Sequence, residues 1–598
     1  MIKLKKPILI SFIILCLLFT LLLTGRKISA KANPNIIHVP TDYPTIQDAI
    51  NHATSRDTIF VHKETYYENV VINKSISLIG EDRNLTIIDG GGTGNVIHLE
   101  SGDVYISGFT IQNGGKGLYD SGIFIDHASD NNNISHNTIA NSSNGICLSY
   151  SLRSTIFDNT VSNCKYGISL YSSNNNEIYG NNASSNKYGI AFYSSNNNKI
   201  HSNNALSNKI NGIYLHLSGN NEISSNIASL NGYEGIRLDS SDNNVISSNK
   251  ATNNDYGIRL STSSNNTVSG NTATNNYYGI YLDSSSDNNN IYHNNFNNTD
   301  QVWSDSLNIW NDANEGNYWS DYTGQDKNGD GIGDIPYTID EKNQDNKPLM
   351  GKFSDFSVAW KDKIHHVTTI CNSTISNFTF EVERETGNKI IRFDVTGRDG
   401  TTGFCRVMIP TELMNYSYIV LIDEEEAIPT LLDVSNKTHT YLYFVYTHTN
   451  HTVAIISSKT LYLYNEILDK YAKLQADFND LNSAYHGFLV NYTHLLESHD
   501  MLNASYQQHL LDNAKLEENY NTLLNNYDQI LRSFTTLNAS YQQYLIDYAE
   551  LQKNDAALLS EHAQNIRNLS YVFIVTTTFF IIVAFYLSTH AHRKDFKS

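Results

Sequence analysis

Gly212-Ile213-Tyr214-Leu215-His216 is one instance of a phrase, Gly-Ile-x-apolar, that recurs at Gly122, Gly145, Gly167, Gly189, Gly212, Gly235, Gly257 and Gly279, in steps of 22 or 23 residues. A second phrase keeps time with it, an apolar residue three places before an Asn. Its members are Ile134/Asn137, Ile156/Asn159, Ile178/Asn181, Ile200/Asn203, Ile223/Asn226, Ile246/Asn249, Val268/Asn271 and Ile291/Asn294. A fixed period in this range means stacked units, each too small to bury its own apolar face. The units are β-branched, Gly-punctuated and Asn-rich, which disfavours helix. The Ser and Asn runs between them are turn formers. Alternation within the phrase sends Ile213 and Leu215 inward and Tyr214 and His216 outward. From coil to coil, Ile213 then stacks with Ile190 and Ile236, and Leu215 with Phe192 and Leu238. The Asn series forms a ladder of side-chain amides. The expected class is mainly β, a parallel solenoid of about ten to twelve coils over residues 33–300.

The chain has 598 residues and a formal charge of −20. The length leaves room for several domains; the charge argues against nucleic-acid binding. Five cysteines are few. Cys16 lies in a leader, Cys147 and Cys164 at non-equivalent places in the solenoid. Cys371 and Cys405 share a later domain, where an oxidising compartment would allow a disulfide. No Cys/His spacing suggests zinc.

Residues 1–32 read as a secretory signal: Lys3, Lys5 and Lys6, an apolar run from Pro7 to Leu23, then Ala30-Lys31-Ala32. From Ile36 to Gly115 the text is less regular. It includes Tyr43-Pro44-Thr45-Ile46-Gln47-Asp48-Ala49-Ile50, Ile76-Ser77-Leu78-Ile79-Gly80 and Ile106-Ser107-Gly108-Phe109-Thr110-Ile111. This resembles the opening of right-handed β-helices of the pectin-lyase-like superfamily, in which a short helix, here about Thr45 to Ala53, caps the first coil. An uncapped solenoid would expose core and strand edges. With the repeats, the resemblance is to NosD-like β-helix proteins, also described as carbohydrate-binding and sugar-hydrolase repeat domains, over about residues 36–350. It implies a right-handed β-helix; it does not choose among lyases, hydrolases, adhesins and proteins of other roles.

Residues 301–351 resemble that family's tail and form the expected C-terminal cap. Trp303, Trp310 and Trp319 are expected to plug the end of the solenoid. Asp326, Asn328 and Asp330, followed by Gly331, begin like an EF-hand calcium loop, and Asp334 falls at the ninth position. Tyr337 stands where a bidentate Glu is required, so the loop is either a weak calcium site or a self-bonded turn.

Residues 352–460 alternate as short strands do and suggest a β-sandwich. Sequons at Asn372, Asn377, Asn415, Asn436 and Asn450 suggest a glycosylated exterior. Residues 461–568 carry heptads with aromatics at Tyr464, Tyr471, Phe478, Tyr485, Tyr492 and onward to Tyr548. They predict a coiled-coil stalk, roughly 150 Å long at 1.5 Å per residue, through which the chain could form a homo-oligomer. Residues 569–588 contain an apolar run from Leu569 to Leu587 of membrane-spanning length. His592, Arg593, Lys594 and Lys597 follow, placing the tail, 589–598, in the cytoplasm. The order resembles archaeal envelope proteins: solenoid outermost, sandwich, stalk, single anchor in the cell membrane.

Chemistry is expected on the outward face of the Gly-Ile strands. Tyr171, Tyr193, Tyr214, His216 and Tyr281 suit a sugar, whose C–H faces stack on rings while hydroxyls take hydrogen bonds. Tyr is also simply a good exposed strand residue. The best catalytic patch is Arg237, Asp239, Arg259 and Asp283. The two Asp stand two coils apart, roughly 9.5 Å at strand spacing, the upper limit for an inverting carboxylate pair. Arg259 is placed to bind both as a surface ion pair instead. Copper handling, implied by the NosD resemblance, finds little support. No Met lies between Met1 and Met350, and His127, His136, His201, His216 and His293 do not stack into a cluster. The expected function is therefore binding of polysaccharide or envelope glycan without turnover. The alternatives are a polysaccharide hydrolase or lyase, a structural envelope component, and a copper-handling protein.

Overall fold

A computed structural model of the protein describes residues 34–127, 129–415, 417–498 and 503–553, with Thr578 alone beyond them. The leader expected over 1–32 and the span and tail expected from Leu569 onward lie outside the described residues, Thr578 apart. No helix among the described residues is long and apolar enough to cross a membrane.

The repeats form three parallel sheets of twelve, eleven and twelve strands. The first runs from Ile36–Val39 to Asn290–Tyr292, the Gly-Ile sheet from Val70–Ile72 to Asp300–Ser304, and the third from Thr65–Tyr67 to Tyr318–Trp319. A parallel bridge from Asn290 to Ile309 opens a thirteenth turn, just past the expected number. Crossovers between parallel strands are right-handed. Ile123, Ile146, Ile168, Ile190, Ile213, Ile236, Ile258 and Ile280 stand in register and wholly buried, as do Phe192, Leu215 and Leu238 beside them. The glycine of the phrase is required by close approach. A Cβ on Gly212 would stand 2.7 Å from the Gly235 carbonyl oxygen of the next coil and 2.8 Å from Asn231 Nδ2.

The corners are held by asparagine. In the expected ladder, Asn203 Nδ2 donates to Asn226 Oδ1 and Asn226 Nδ2 to Asn249 Oδ1, both at 3.0 Å. Two more ladders, not anticipated from the sequence, run through Asn176, Asn198, Asn221, Asn244, Asn266 and Asn289, and through Asn208, Asn231, Asn254 and Asn276. The residue before each of these asparagines has a positive φ, for example Ser202 at 57° and Asn220 at 56°. This left-handed step is why Ser, Asn and Gly crowd the corners.

Both ends are capped. At the start, helix α1 (Ile46–His52) buries Ile46, Ala49 and Ile50 over the first coil, with the Thr45 hydroxyl accepting from Asp48 N at 3.0 Å. At the far end Trp310 and Trp319 are 1% exposed, and Trp319 stacks on Phe296 and Tyr337. Trp303 departs from expectation. It is 45% exposed, because its strand extends the Gly-Ile sheet by one more coil and aligns it with outward Tyr281. Asp345 ends the first Asn ladder by accepting from Asn317 N at 2.7 Å and Trp319 Nε1 at 2.9 Å.

Residues 352–457 form two five-stranded antiparallel sheets around a core that includes Val367, Phe393, Val407 and Ile455. The sandwich is joined to the solenoid without a linker. Asn295 exchanges two 2.8 Å bonds with the Phe353 backbone, and Arg406 reaches Glu315 at 2.6 Å, both side chains buried. Cys371 and Cys405 stand opposite each other on paired strands as buried free thiols rather than a disulfide.

The heptad region does not form one continuous stalk. Helices α2 (Lys459–Ser498) and α3 (Asn503–Lys553) run antiparallel, and aromatics of the heptad seam meet each other within the chain. Tyr471 stacks on Phe534 at 4.5 Å, Phe478 on Tyr527 at 4.2 Å and Tyr485 on Tyr520 at 4.6 Å. A heptad seam has no direction of its own, so its two halves can close on one another. Leu474, Leu481 and Phe488, with Leu516, Leu523 and Ile530, remain exposed.

The ladder makes a stability prediction. In Asn226→Ala, Asn203 N and the Ile200 carbonyl lose buried partners, at roughly 1–3 kcal/mol each, so the total cost should be about 2–6 kcal/mol. Lys199→Ala, on an exposed position, should stay within about 0.5 kcal/mol. Urea unfolding of residues 34–466 measures both; equal effects would show that the ladder is not what holds the corners.

Candidate functional site

The outward face of the Gly-Ile sheet divides into two parts. In the earlier coils Cys147, Ser169 and Ala191 point outward and are nevertheless fully buried, because these small residues leave room for tyrosine rings to pack over them. Tyr171 and Tyr193 stack at 5.0 Å with planes 7° apart, and the Tyr193 hydroxyl donates to the Tyr166 hydroxyl at 3.3 Å. Burial pushes the Cys147 thiol up to about 12 and holds the Tyr171 and Tyr193 hydroxyls well above their usual value. These two rings therefore spend their inner faces on each other, and offer a ligand edges and hydroxyls rather than the flat stacking surfaces expected of them.

In the later coils the face is charged. Arg237 lies 3.3 Å from Glu234 Oε1 and 3.6 Å from Asp239 Oδ2. Arg259 lies 3.2 Å from the same Glu234 oxygen and 3.5 Å from Asp283 Oδ2. Asp239 also accepts from the Tyr214 hydroxyl at 3.2 Å and faces His216 Nδ1 at 3.4 Å, while Asp283 accepts from Ser261 at 2.7 Å. The expectation that Arg259 bridges Asp239 and Asp283 is thus corrected. Each Asp has its own Arg, and the bridge is Glu234, whose side chain is only 3% exposed. Sequence reasoning passed over Glu234, though a signal existed: the column before the glycines reads Tyr166, Tyr188, Asn211, Glu234, Tyr256, Tyr278, and Glu234 is its one charged member. Both carboxylates of the suggested catalytic pair are taken up in ion pairs, each with its own Arg.

The aromatics resume beyond the network. The Arg259 guanidinium lies 5.2 Å from the centroids of both Tyr256 and Tyr281, which meet edge to face, and Tyr281 stacks on Trp303 at 6.1 Å. Tyr171, Tyr193, Tyr214, His216 and Tyr281 all fall on this one face, as the alternation predicts.

The Asp326 to Asp334 loop lies apart from the ribbon. Asp326 accepts from Gly329 N, Asp330 N and Gly331 N, Asp330 from Ile332 N and the Asn328 side chain, and Asp334 from Lys327 N. The loop closes on its own amides, with Gly329 and Gly331 at positive φ. Its Asp330 carbonyl accepts from Arg406 at 2.8 Å, tying it to the sandwich.

Residues 50–211 and again 185–324 match the family model described as periplasmic copper-binding protein (NosD). No curated protein matches the sequence. Among solved structures, the Dettilon tailspike protein gp208 is similar at 13% identity over 71% of this chain and 94% of its own, with a TM-score of 0.39. The A-module of mannuronan C-5 epimerase AlgE4 from Azotobacter vinelandii is similar at 16% identity over 44% and 91%, TM-score 0.35. DFA-IIIase from Arthrobacter chlorophenolicus A6 is similar at 14% identity over 46% and 93%, TM-score 0.37.

Copper does not fit the residues present. Among the described residues no three His, Cys, Asp or Glu side chains gather as a metal would require. Four of the five histidines weighed from the sequence lie singly on carboxylates, His136 on Asp158, His201 on Glu177, His216 on Asp239 and His293 on Glu315, while His38 and His62 on the first coils meet as a pair at 3.2 Å. Cys147 and Cys164 are buried singly, without the Met or His company that soft copper sites use.

The buried bridge is testable. Glu234→Gln keeps the shape but leaves two guanidinium groups without their shared countercharge, and should cost about 1–3 kcal/mol. Asp239→Asn, on a quarter-exposed partner, should cost under about 1 kcal/mol. Chemical denaturation at neutral pH distinguishes them, and the reverse order would reassign the centre of the network to Asp239.

Proposed function

We propose that the solenoid, a NosD-like right-handed β-helix, binds polysaccharide or envelope glycan along its Gly-Ile face and does not turn it over. The observation that carries this reading is the composition of the later coils. An exposed ring at Trp303, the Tyr281 edge, and the forked donors of Arg237 and Arg259 among carboxylates lie on one open ribbon. A sugar needs such a combination, an apolar surface for its C–H face and planar hydrogen-bonding groups for its hydroxyls. Against turnover stand the ion pairs on Asp239 and Asp283.

A glycan array probed with residues 34–466 should give hits that weaken at least tenfold in the double variant Tyr281→Ala/Trp303→Ala, with no shortened product on prolonged incubation. Products abolished by Asp239→Asn would make the protein a hydrolase or lyase. Absence of any hit would favour a purely structural envelope role.

The reading places the protein on the cell membrane with the solenoid outside, supported by the Lys-flanked apolar leader and the basic residues after Leu587. Protease added to intact cells should remove the solenoid; its protection would overturn that orientation. Calcium at Asp326, Asn328, Asp330 and Asp334 belongs to the same proposal only as an addition to a loop that already closes through its own hydrogen bonds.

A further inference from the structure

We propose that the last coils of the ribbon take a cationic sugar, an unacetylated amino-sugar chain with one unit against Trp303 and its ammonium groups toward Asp300 and Asp305 at the two ends of that strand. This rests on the glycan reading above and names the substrate class. In the earlier ribbon five ring faces carry the protein's own cations. Lys165 lies over Tyr166 at 5.0 Å, Lys187 over Tyr188 at 5.6 Å, Arg237 over Tyr214 at 5.6 Å, and Arg259 over both Tyr256 and Tyr281 at 5.2 Å. After Arg259 the supply stops. No Lys or Arg occurs until Lys327, while eight Asp and Glu do.

The rings continue without cations. Tyr277 is 54% exposed and Trp303 45%. Tyr277 meets Tyr278 edge-on at 4.8 Å, Tyr278 meets Tyr281 at 5.3 Å, and Tyr281 stacks on Trp303 at 6.1 Å. Among the described residues no Lys or Arg of this chain lies over Tyr277, Tyr278 or Trp303. Exposed carboxylates accompany them. Asp300 stands in register with Tyr278, and Asp305 follows the strand that carries Trp303, its N–H donating to Leu282 O at 3.0 Å. Neither has an ion-pair partner among the described residues, whereas Asp283 is taken by Arg259.

Clustered aromatic rings attract a cation through their negative faces, and unpaired acids add a field that repels an anion. An amino sugar supplies both halves of the match, a C–H face for the indole and an ammonium for the carboxylates. A uronate or sulfated sugar is excluded by the same charges. A lysine-rich peptide has the charge without the ring-shaped apolar face, and the continuity of this patch with the ribbon favours the sugar.

The test is calorimetry on the full chain with three probes at about pH 6: glucosamine hexamer, its fully N-acetylated counterpart and oligogalacturonate. The expected result is binding of the first, at least tenfold weaker binding of the second, and none of the third. Affinity for the hexamer should fall at least tenfold in Trp303→Ala, hold within threefold in Trp303→Phe, and fall several-fold in Asp300→Asn/Asp305→Asn with a shallower salt dependence. The Asp variants lie on exposed positions, so they decide the matter if Trp303→Ala does not fold. Equal binding of the acetylated and unacetylated hexamers overturns the cationic site and leaves the glycan reading standing. So does hexamer binding that survives all three variants, or array hits confined to neutral or anionic glycans. Oligolysine binding as tightly as the hexamer overturns it in favour of a protein partner. No glycan binding of any kind removes both.

Discussion

The hydrogen bond from one asparagine side chain to the next, coil upon coil, is the constraint on which the rest of this structure depends. Asn226 shows the full set. Its Nδ2 donates to the Ile200 carbonyl and to Asn249 Oδ1, and its Oδ1 accepts from both nitrogens of Asn203. A buried amide so engaged has no spare donor and leaves no backbone group of the corner orphaned. The rungs hold across coils of both 22 and 23 residues, as from Asn181 to Asn203 and from Asn203 to Asn226, so the extra residue is taken up between the ladders. Three such ladders at the corners therefore fix the flat faces between them, and the faces fix which exterior residues align. The ribbon is a consequence of the corners.

What the ribbon offers depends on the size of one outward column. Where that column is Cys147, Ser169 and Ala191, tyrosines collapse over it and become part of the wall. Where it is Tyr214, Arg237, Arg259 and Tyr281, the face cannot close and stays rich in polar groups. Glu234 is what permits two arginines to stand on adjacent coils, Arg237 directly above Arg259 in register. Like charges at strand spacing repel, and a single buried carboxylate shared by both cancels that repulsion. The same burial makes Glu234 costly to leave unpaired, so the arginines and the glutamate hold one another in place.

Most of the fold could be read from residues because the repeat states it more than once. Ile190, Ile213 and Ile236 are inside, Tyr214 and His216 outside, the first Asn series is a ladder, and Thr45 to Ala53 is a capped helix. The other two ladders were hidden in plain Asn and Ser runs, where composition signals a turn but not which residue bonds across coils. Trp303 was misplaced because tryptophan near the end of a solenoid suggests a plug. Only the register, with Val302 beneath Ile280, shows that its strand prolongs the sheet and turns the indole outward. The heptads were read correctly as helices and incorrectly as one rod, since spacing by seven does not say whether the partner seam lies in another copy or further along the same chain.

The departures from the repeat say more about function than the repeat does. The inward positions answer to the corners and to packing density, and any protein of this architecture must fill them in much the same way. The outward positions are free of that demand, so a break in their pattern has some other cause. Glu234 as the one charged residue before a Gly-Ile phrase, the loss of basic residues after Arg259, and an exposed tryptophan one coil beyond the final Gly-Ile phrase are three such breaks on a single face. None improves the core, and Glu234 requires two ion pairs to be tolerated at all. Their convergence within a few coils sets these breaks toward the end of the solenoid that adjoins the sandwich, where Asn295 bonds the Phe353 backbone and Arg406 the Asp330 carbonyl.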